Sequence, residues 1–408
     1  MRPYQRPYSR VPGNTLFLLI IVVTFGVTGT WAGSPSDKPD YDTLTRSGFR
    51  HFYRLEYDQA IRDFRSASEA RPDEPKALNH LLEAELFEEL YRYNALDTRL
   101  YTKQRFLTSK HVPIDPAKKK QLLELMQRAI ATSDKRLKTH PDDIEALYSR
   151  GVTEGLRSTY MAVVEHSFWS ALHNALDARN DHEEVLRRQK DFVDAKTVVG
   201  AHEYVVGSLN TPTKVVAGMV GIHGDKNKGL RMLAEAGQGG GESNTDARVT
   251  LALFLRREER YEEAMAVVKT LTQDYPHNFL FALEQGNLLR DAGRGPESIA
   301  SYRALLDGCK EGGYPNAHVE MVQYALGEAL RGQNELPGAL AAYQSAAKTS
   351  DYDSDLHQRA LLGAAEVSDL LAQREQALAQ YRAAIALDSS SEEADTARRY
   401  LDRPYRGH

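Results

Sequence analysis

The sequence predicts an all-α solenoid, in which pairs of antiparallel helices stack side by side along the chain. Three observations support this fold class. Small residues recur twelve positions apart, an aromatic or aliphatic residue follows four positions later, and proline or a polar turn closes the unit. The composition is that of a folded protein, since 41% of the residues are hydrophobic and 27% are charged.

The twelve-residue step occurs in five units. In the first unit Gly48 is followed by Ala60 and then by Phe64. The other four units have, in order, Ala252, Ala264 and Val268; Gly286, Ser298 and Tyr302; Gly327, Ala339 and Tyr343; and Ala365, Ala377 and Tyr381. Successive units of the C-terminal half start 34, 41 and 38 residues apart. A repeat of this length predicts one helix pair per unit.

Each unit has the pattern of two amphipathic helices. In ARVTLALFLRREERYEEAMAVVKTLTQDYPHN, residues 247–278, apolar residues at helical spacing surround Ala252 and then Ala264, and Pro276 ends the second helix. The small residues allow the two helices to approach closely, and the aromatic residue fills the space between neighbouring pairs. Because a single pair cannot bury its apolar face, the units must stack.

The first 32 residues have the layout of a secretory signal peptide. Arg2, Arg6 and Arg10 precede the apolar stretch TLFLLIIVVTFGV, and TWA provides a small-residue cleavage site after Ala32. An uncleaved N-terminal anchor is the alternative, because the apolar run approaches the roughly 18 residues that span a bilayer. We therefore expect an exported protein, periplasmic or associated with the cell envelope, with a linker over residues 33–40.

Without those 32 residues the chain is mildly acidic. It loses three of its 52 basic residues and none of its 57 acidic residues, which leaves 49 − 57 = −8. Nucleic-acid binding rests on the neutralisation of phosphates, so this charge argues against a nucleic-acid partner. Cys309 is the only cysteine, which excludes an intramolecular disulfide and a cysteine-based zinc site.

The units resemble the tetratricopeptide repeat, a helix-turn-helix unit of about 34 residues. The resemblance covers residues 41–75 and 246–391, although Leu44 and Leu361 stand where the family usually has tryptophan. It implies a right-handed superhelix of about 7 to 8 helix pairs, similar to exported bacterial proteins of this family, and roles in interaction. The predicted domains are N-terminal repeats with an insertion, divergent helical repeats, regular repeats, and a capping helix with a tail, over residues 41–143, 144–244, 245–391 and 392–408.

The divergent repeats contain a glycine-rich stretch, GMVGIHGDKNKG, at residues 218–229. Gly224 and Gly229 have the glycine spacing of a phosphate-binding P-loop, but Leu230 and Arg231 replace the required lysine and hydroxyl residue. The structural alternative is that the residue after Gly224, Asp225, caps a helix while Gly229 lies in a packing seam. The sequence leaves anion binding by residues 221–229 open.

The surrounding residues, 193–236, are also weakly similar to the inclusion-body-clearance tetratricopeptide proteins. That similarity implies interaction rather than catalysis. His202 and Glu203 begin like the zinc motif H-E-x-x-H, but Val206 occupies the position of the second histidine. His182 lies in a polar stretch and is expected on a solvated helix face.

We therefore predict a non-enzymatic protein without cofactor or metal. The alternative is a small-ligand binder or an enzyme that uses the divergent repeats. Its candidate residues are His202, His223, Asp225 and Lys226. A membrane-tethered assembly factor is a third possibility, which depends on whether the N-terminal segment is retained.

The predicted function is that of an interaction scaffold or adaptor of the cell envelope. In a superhelix of this family the first helix of each pair lines the concave face, so residues one and four positions after its small residue face inward together. Arginine and asparagine recur there, and they suit a carboxylate or the backbone carbonyls of a bound segment. The predicted partner-binding residues are Arg256, Arg257, Asn287, Arg290 and Arg331. Arginines that are merely solvated on an acidic protein are the alternative.

Overall fold

The computed structural model of the chain describes residues 40–101, 112–211, 214, 218, 223–348 and 354–407. The regular secondary structure of these ranges is entirely helical, which confirms the all-α prediction. The chain divides into an N-terminal unit that ends at Leu271 and a C-terminal unit that begins at Thr272. None of the helices in the described ranges combines the length and the apolarity that crossing a membrane requires. The predicted signal segment lies outside the described residues.

The N-terminal unit consists of successive antiparallel helices. They are α1 Tyr41–Phe52, α2 Tyr57–Ala70, α3 Pro75–Arg92, α4 Thr98–Tyr101, α5 Pro116–Thr139, α6 Ile144–Val163, α7 Phe168–Arg188, α8 Ala195–Gly207, α9 Lys226–Gln238 and α10 Asn244–Arg257. Neighbouring helices pack as pairs, α1 with α2, α6 with α7 and α8 with α9. The next helix, α11 Tyr261–Asp274, ends just after the boundary between the units.

The C-terminal unit repeats the same arrangement with greater regularity. Its helices are α12 Phe279–Asp291, α13 Gly295–Lys310, α14 Val319–Gly332, α15 Leu336–Ala346, α16 Ser354–Leu370, α17 Arg374–Leu387 and α18 Glu392–Asp402. Each helix packs on the next one, and the first helices of successive pairs, α12, α14 and α16, also contact one another. Ser391 caps α18, the predicted polar capping helix, by accepting a hydrogen bond from the Ala394 amide. The C-terminal unit is therefore a stack of helix pairs, as an α-solenoid requires.

Small residues and aromatic rings meet as the repeat pattern predicts. A β-carbon at Gly286 would overlap the ring of Tyr302, and one at Gly327 would overlap the ring of Tyr343. The Tyr343 ring also lies against Gly363 of the following pair. The tyrosine of each second helix thus fills the space that glycine leaves, which is why this spacing is fixed along the chain.

The turn between the first and second helix has the same backbone conformation in all five units. A residue with positive φ follows the small residue by seven positions in each of them. These residues are Leu55 (61°), Glu259 (60°), Gly293 (77°), Asn334 (61°) and Ala372 (59°). A left-handed conformation costs most L-residues about 1–2 kcal/mol, and only Gly293 avoids that cost. The same turn geometry therefore accompanies the twelve-residue step in all five units, although only Gly293 has a glycine at the position with positive φ.

The expectation that His182 lies on a solvated face is wrong. Its side chain is fully buried, and its Nδ1 atom lies 2.6 Å from the carbonyl oxygen of Ala178. Burial lowers the pKa of the imidazole to about 4, although the Ala178 carbonyl acts in the opposite direction. The room for the ring comes from Gly151, where a β-carbon would overlap the imidazole. The sequence did not predict this burial, because the neighbours of His182 in the sequence are polar and its packing partner, Gly151, lies on another helix.

The N-terminal unit brings its first helices into contact with its last ones. The Tyr53 hydroxyl donates a hydrogen bond of 2.8 Å to Asp246, across 193 residues of sequence. Lys76 on α3 forms an ion pair of 3.1 Å with Glu242, just before α10. In a solenoid whose repeats touch only their neighbours these residues would be far apart. Polar contacts therefore close this unit on itself.

Candidate functional site

The first helices of the C-terminal unit present a row of polar side chains. The row contains the residues one and four positions after the small residue in each of α12, α14 and α16. We call this set the first-helix row; it consists of Asn287, Arg290, Glu328, Arg331, Glu366 and Asp369. Three of the five predicted partner-binding residues, Asn287, Arg290 and Arg331, belong to it. Glu366 and Asp369 lie at the same two positions after Ala365. They were not among the predicted residues because the prediction was limited to arginine and asparagine.

Tyrosine hydroxyls from the second helices hold the row in place. Tyr302 donates a hydrogen bond of 2.8 Å to the side-chain oxygen of Asn287. Tyr343 bonds in the same way to Glu328. In the last pair, the hydroxyl of Tyr381 lies 3.0 Å from Asp369. The repeated tyrosine therefore serves both packing and orientation, and the sequence pattern predicted only the packing.

Carboxylates pair with the arginines of the row. Arg331 on α14 contacts Glu366 on α16 at 2.5 Å, and both side chains are mostly buried. Although burial disfavours charge on Arg331, the carboxylate of Glu366 and its other acidic neighbours raise its pKa above that of a free guanidinium. Arg290 pairs with Asp291 at 3.1 Å. The row thus includes an acidic partner of Arg331, in addition to the basic and amide groups that the sequence predicted.

The C-terminal tail, residues 403–407, contacts two residues of the row. The backbone amide of Tyr405 donates a hydrogen bond of 2.8 Å to Asp369, and Arg331 donates one of 2.7 Å to the Tyr405 hydroxyl. The side chain of Tyr405 is buried, while the flanking Pro404 and Arg406 are exposed. The row therefore binds an extended polypeptide segment in the structure itself. Sequence reasoning missed this role; the signal was an aromatic residue in an otherwise polar tail.

The other two predicted residues, Arg256 and Arg257, lie in the N-terminal unit. Arg256 is buried, with 4% of its surface exposed, and it donates a hydrogen bond of 3.1 Å to Thr98. The guanidinium of Arg257 lies 5.9 Å from the centre of the Tyr204 ring, a cation–π geometry. Contacts within the unit thus engage both side chains, and Arg256 in particular faces little solvent.

The closure of the N-terminal unit buries a cluster of ionisable groups that the sequence did not reveal. Burial and the nearby carboxylates of Asp246 and Glu242 raise the pKa of Glu83 well above its ordinary value. Burial also raises the pKa of Asp246 to about 7, in spite of the hydrogen bond from Tyr53. His80, on the same helix as Glu83, is fully buried, and burial holds its pKa well below the usual value. The protonation of these buried groups therefore affects the stability of the fold, and almost none of their surface is exposed to solvent.

The sequence pattern of the tetratricopeptide repeat family matches residues 235–316. These residues run from the end of α9 to the loop before α14 and include two of the five units with the twelve-residue step. Residues 235–316 therefore consist of tetratricopeptide repeats. The prediction of the family is confirmed, and the units outside the matched range follow the same small-residue and aromatic positions.

Several solved structures are similar to this chain. Yeast Tom70 is 11% identical, with 89% of this chain and 88% of that chain covered and a TM-score of 0.41. A tetratricopeptide repeat protein from Parabacteroides merdae is 12% identical, with 79% and 98% covered and a TM-score of 0.34. Cut9 with Hcn1, from the APC/C, gives 13% identity, coverage of 89% and 76%, and a TM-score of 0.36. No curated protein sequence is significantly similar to the chain.

Asp225 and Lys226, two candidate residues of the predicted small-ligand site, make contacts at the start of α9. Asp225 caps α9 by accepting a hydrogen bond of 2.8 Å from the Lys228 amide, as predicted. Its own amide donates to Glu203 at 2.8 Å, so carboxylates already satisfy these donors at the start of the helix. Lys226 forms an ion pair of 2.5 Å with Glu258.

The two candidate histidines are in different environments. His202 has no exposed surface, its ring nitrogens have no hydrogen-bond partner among the described residues, and burial lowers its pKa to about 4. His223 is exposed to solvent. Across the described ranges, no three histidine, cysteine, aspartate or glutamate side chains are grouped so that they could hold a metal ion.

Proposed function

We propose that this tetratricopeptide-repeat protein is a non-enzymatic scaffold that binds a segment of a partner protein along the first-helix row. The observation that carries the proposal is the docking of the chain's own tail, which uses Arg331 and Asp369 as a bound segment would. Tetratricopeptide repeats in general bind other proteins. Here the row offers both donors and acceptors, so it suits the alternating amides and carbonyls of an extended backbone.

The proposal places the binding surface in the C-terminal unit. In the N-terminal unit the corresponding residues Phe52 and Arg256 are buried. In the C-terminal unit Arg290 and Arg331 keep about a quarter and a fifth of their side-chain surface, 26% and 19%. A partner can therefore reach the row without opening the fold.

The test is affinity purification with chemical crosslinking from the native envelope. The double variant Arg290→Gln with Arg331→Gln removes both charges of the row while retaining the shape and most hydrogen-bonding groups. We expect it to lose the partners that the unmodified protein captures. The matched control is Arg303→Gln, an exposed arginine on α13 whose side chain is away from the row. An identical partner set from all three proteins would show that the row does not bind them.

We also propose that the protein is exported to the cell envelope. The support is the basic and apolar layout of residues 1–32. Fractionation of cells, followed by intact-mass measurement of the native protein, tests the proposal. We expect a mature chain that begins at Gly33; a full-length chain in the membrane fraction would favour a tethered assembly factor, and recovery from the cytosol would refute export.

A further inference from the structure

The C-terminal tail has the geometry of a bound ligand rather than of a structural element. Arg374 satisfies the end of α18 independently of the tail, because it donates hydrogen bonds of 2.8 and 2.6 Å to the carbonyl oxygens of Tyr400 and Leu401. The same side chain forms an ion pair of 3.0 Å with Asp369. Helix α18 is therefore anchored without residues 403–407, and the tail can leave while the helix stays.

Arg331 is the residue of the row that holds the side chain of Tyr405. Arg331 donates to the Tyr405 hydroxyl, and its guanidinium also lies 5.1 Å from the centre of the Tyr405 ring. The edge of the ring packs on Tyr400, with a centroid distance of 5.2 Å. The site thus recognises both the aromatic face and the phenol oxygen of a tyrosine.

Two features constrain the backbone at and before that tyrosine. Asp369 accepts the Tyr405 amide, which requires a backbone that presents this amide to α16. Pro404 fixes its own φ and so restricts the free segment to extended conformations, which lowers the entropy lost on binding. An open cleft remains between the tail and residues 369–374, so the row has room beside the resident segment.

We propose that the first-helix row recognises an extended segment with proline followed by tyrosine, that the tail is its resident ligand, and that a partner segment of the same chemistry displaces the tail. This inference rests on the proposed function of the row as a binding surface. It adds the chemistry of the partner segment and an internal competitor. The partner is a protein, and its anchor is a tyrosine side chain in the position of Tyr405.

The test uses the full chain and a fluorescent peptide with the sequence of residues 402–407, DRPYRG. Tyr405→Ala removes the anchor of the tail and leaves the row intact. A tethered tail has an effective concentration on the order of mM and occupies the site in most molecules. We therefore expect the unmodified chain to bind the peptide at least about tenfold more weakly than the Tyr405→Ala chain, by fluorescence anisotropy.

Further variants assign the binding to the row. Arg331→Gln in the Tyr405→Ala background should reduce the affinity about tenfold, and the control Arg303→Gln should leave it unchanged. A peptide with phenylalanine in place of tyrosine should bind more weakly, because Arg331 loses its acceptor. A peptide of residues 1–9, MRPYQRPYS, should bind at least as well as DRPYRG, because it carries the Pro-Tyr sequence twice.

Equal binding by the unmodified and Tyr405→Ala chains, or no binding by the latter, would overturn the inference. Tyr405→Phe keeps the ring and removes only the hydroxyl, so it provides a folded variant whose tail should compete less well than the natural one. The failure of this inference is distinct from that of the proposed function. Envelope partners that depend on Arg290 and Arg331 but neither compete with DRPYRG nor bind better to Tyr405→Ala would leave the function standing and refute the tyrosine site.

Discussion

Replacing Gly229 by alanine is expected to destabilise the N-terminal unit, because the backbones of α8 and α9 are in close contact at this position. A β-carbon at Gly229 would lie 2.5 Å from the carbonyl oxygen of Gly200 and 2.5 Å from the amide nitrogen of Tyr204. Both atoms belong to the backbone of α8, so no side chain can rotate away to relieve the overlap. The helices would have to separate, which would also weaken the packing of Leu233, a fully buried residue of α9.

The expected magnitude follows from two opposing effects. Overpacking of a well-packed interior costs about 1–3 kcal/mol, and contact with rigid backbone places Gly229→Ala at the upper end. Alanine is favoured over glycine in a helix by about 1 kcal/mol, which offsets part of that cost. We therefore expect a net loss of about 2 kcal/mol, or a decrease in Tm of about 4–8 °C for a unit of this size.

Urea unfolding followed by circular dichroism measures the loss, and hydrogen exchange with mass spectrometry locates it. Exchange should become faster in α8 and α9. The control is Gly338→Ala in α15, where the nearest atom to a new β-carbon, from Leu330, is at an ordinary distance of 3.4 Å. This variant should be neutral or slightly stabilised. A Gly229→Ala chain as stable as the unmodified one would refute the packing argument.

Two further predictions concern the buried carboxyl groups and the repeated turn. Asp246 has a pKa of about 7 in the folded chain and about 4 when unfolded, so the folded state binds more protons between these values and stability should fall as pH rises from 4 to 7. The contribution of Asp246 to the free energy of unfolding is at most about 4 kcal/mol over this range. Asp246→Asn should flatten the pH dependence of Tm, whereas Asp142→Asn, at an exposed position, should not. Glu259→Gly removes the cost of positive φ from an exposed turn, so thermal unfolding should show a gain of about 1 kcal/mol; an unchanged Tm would argue against strain at this position.

The helix pairs could be predicted from the sequence because their determinants are local. The small residue and the tyrosine that meet in one pair, such as Gly286 and Tyr302, are separated by a fixed number of positions. The structural alternative for the glycine-rich stretch, a cap at Asp225 and a packing seam at Gly229, is also local, and the structure shows both. These features depend on neighbours along the chain or within one pair, so the pattern contains them.

The burial of His182 and the closure of the N-terminal unit could not be predicted in this way. His182 is surrounded by polar residues in the sequence, and only Gly151, on another helix, explains its burial. Asp246 meets Tyr53 from 193 residues away, and no repeat spacing connects the two. Contacts of this kind depend on the sum of many small rotations between successive helices. Side-chain packing sets each of these rotations.

The first-helix row shows the same division between sequence and structure. By itself the sequence determined the all-α fold, the positions of the five units with the twelve-residue step and which residues share the row, because these follow from helical periodicity. Only the tertiary structure decided that Glu366 neutralises Arg331 and that Tyr405 occupies the row. The physical reason is that charge pairing and tail docking depend on distances between separate helices, whereas periodicity specifies directions around a single helix.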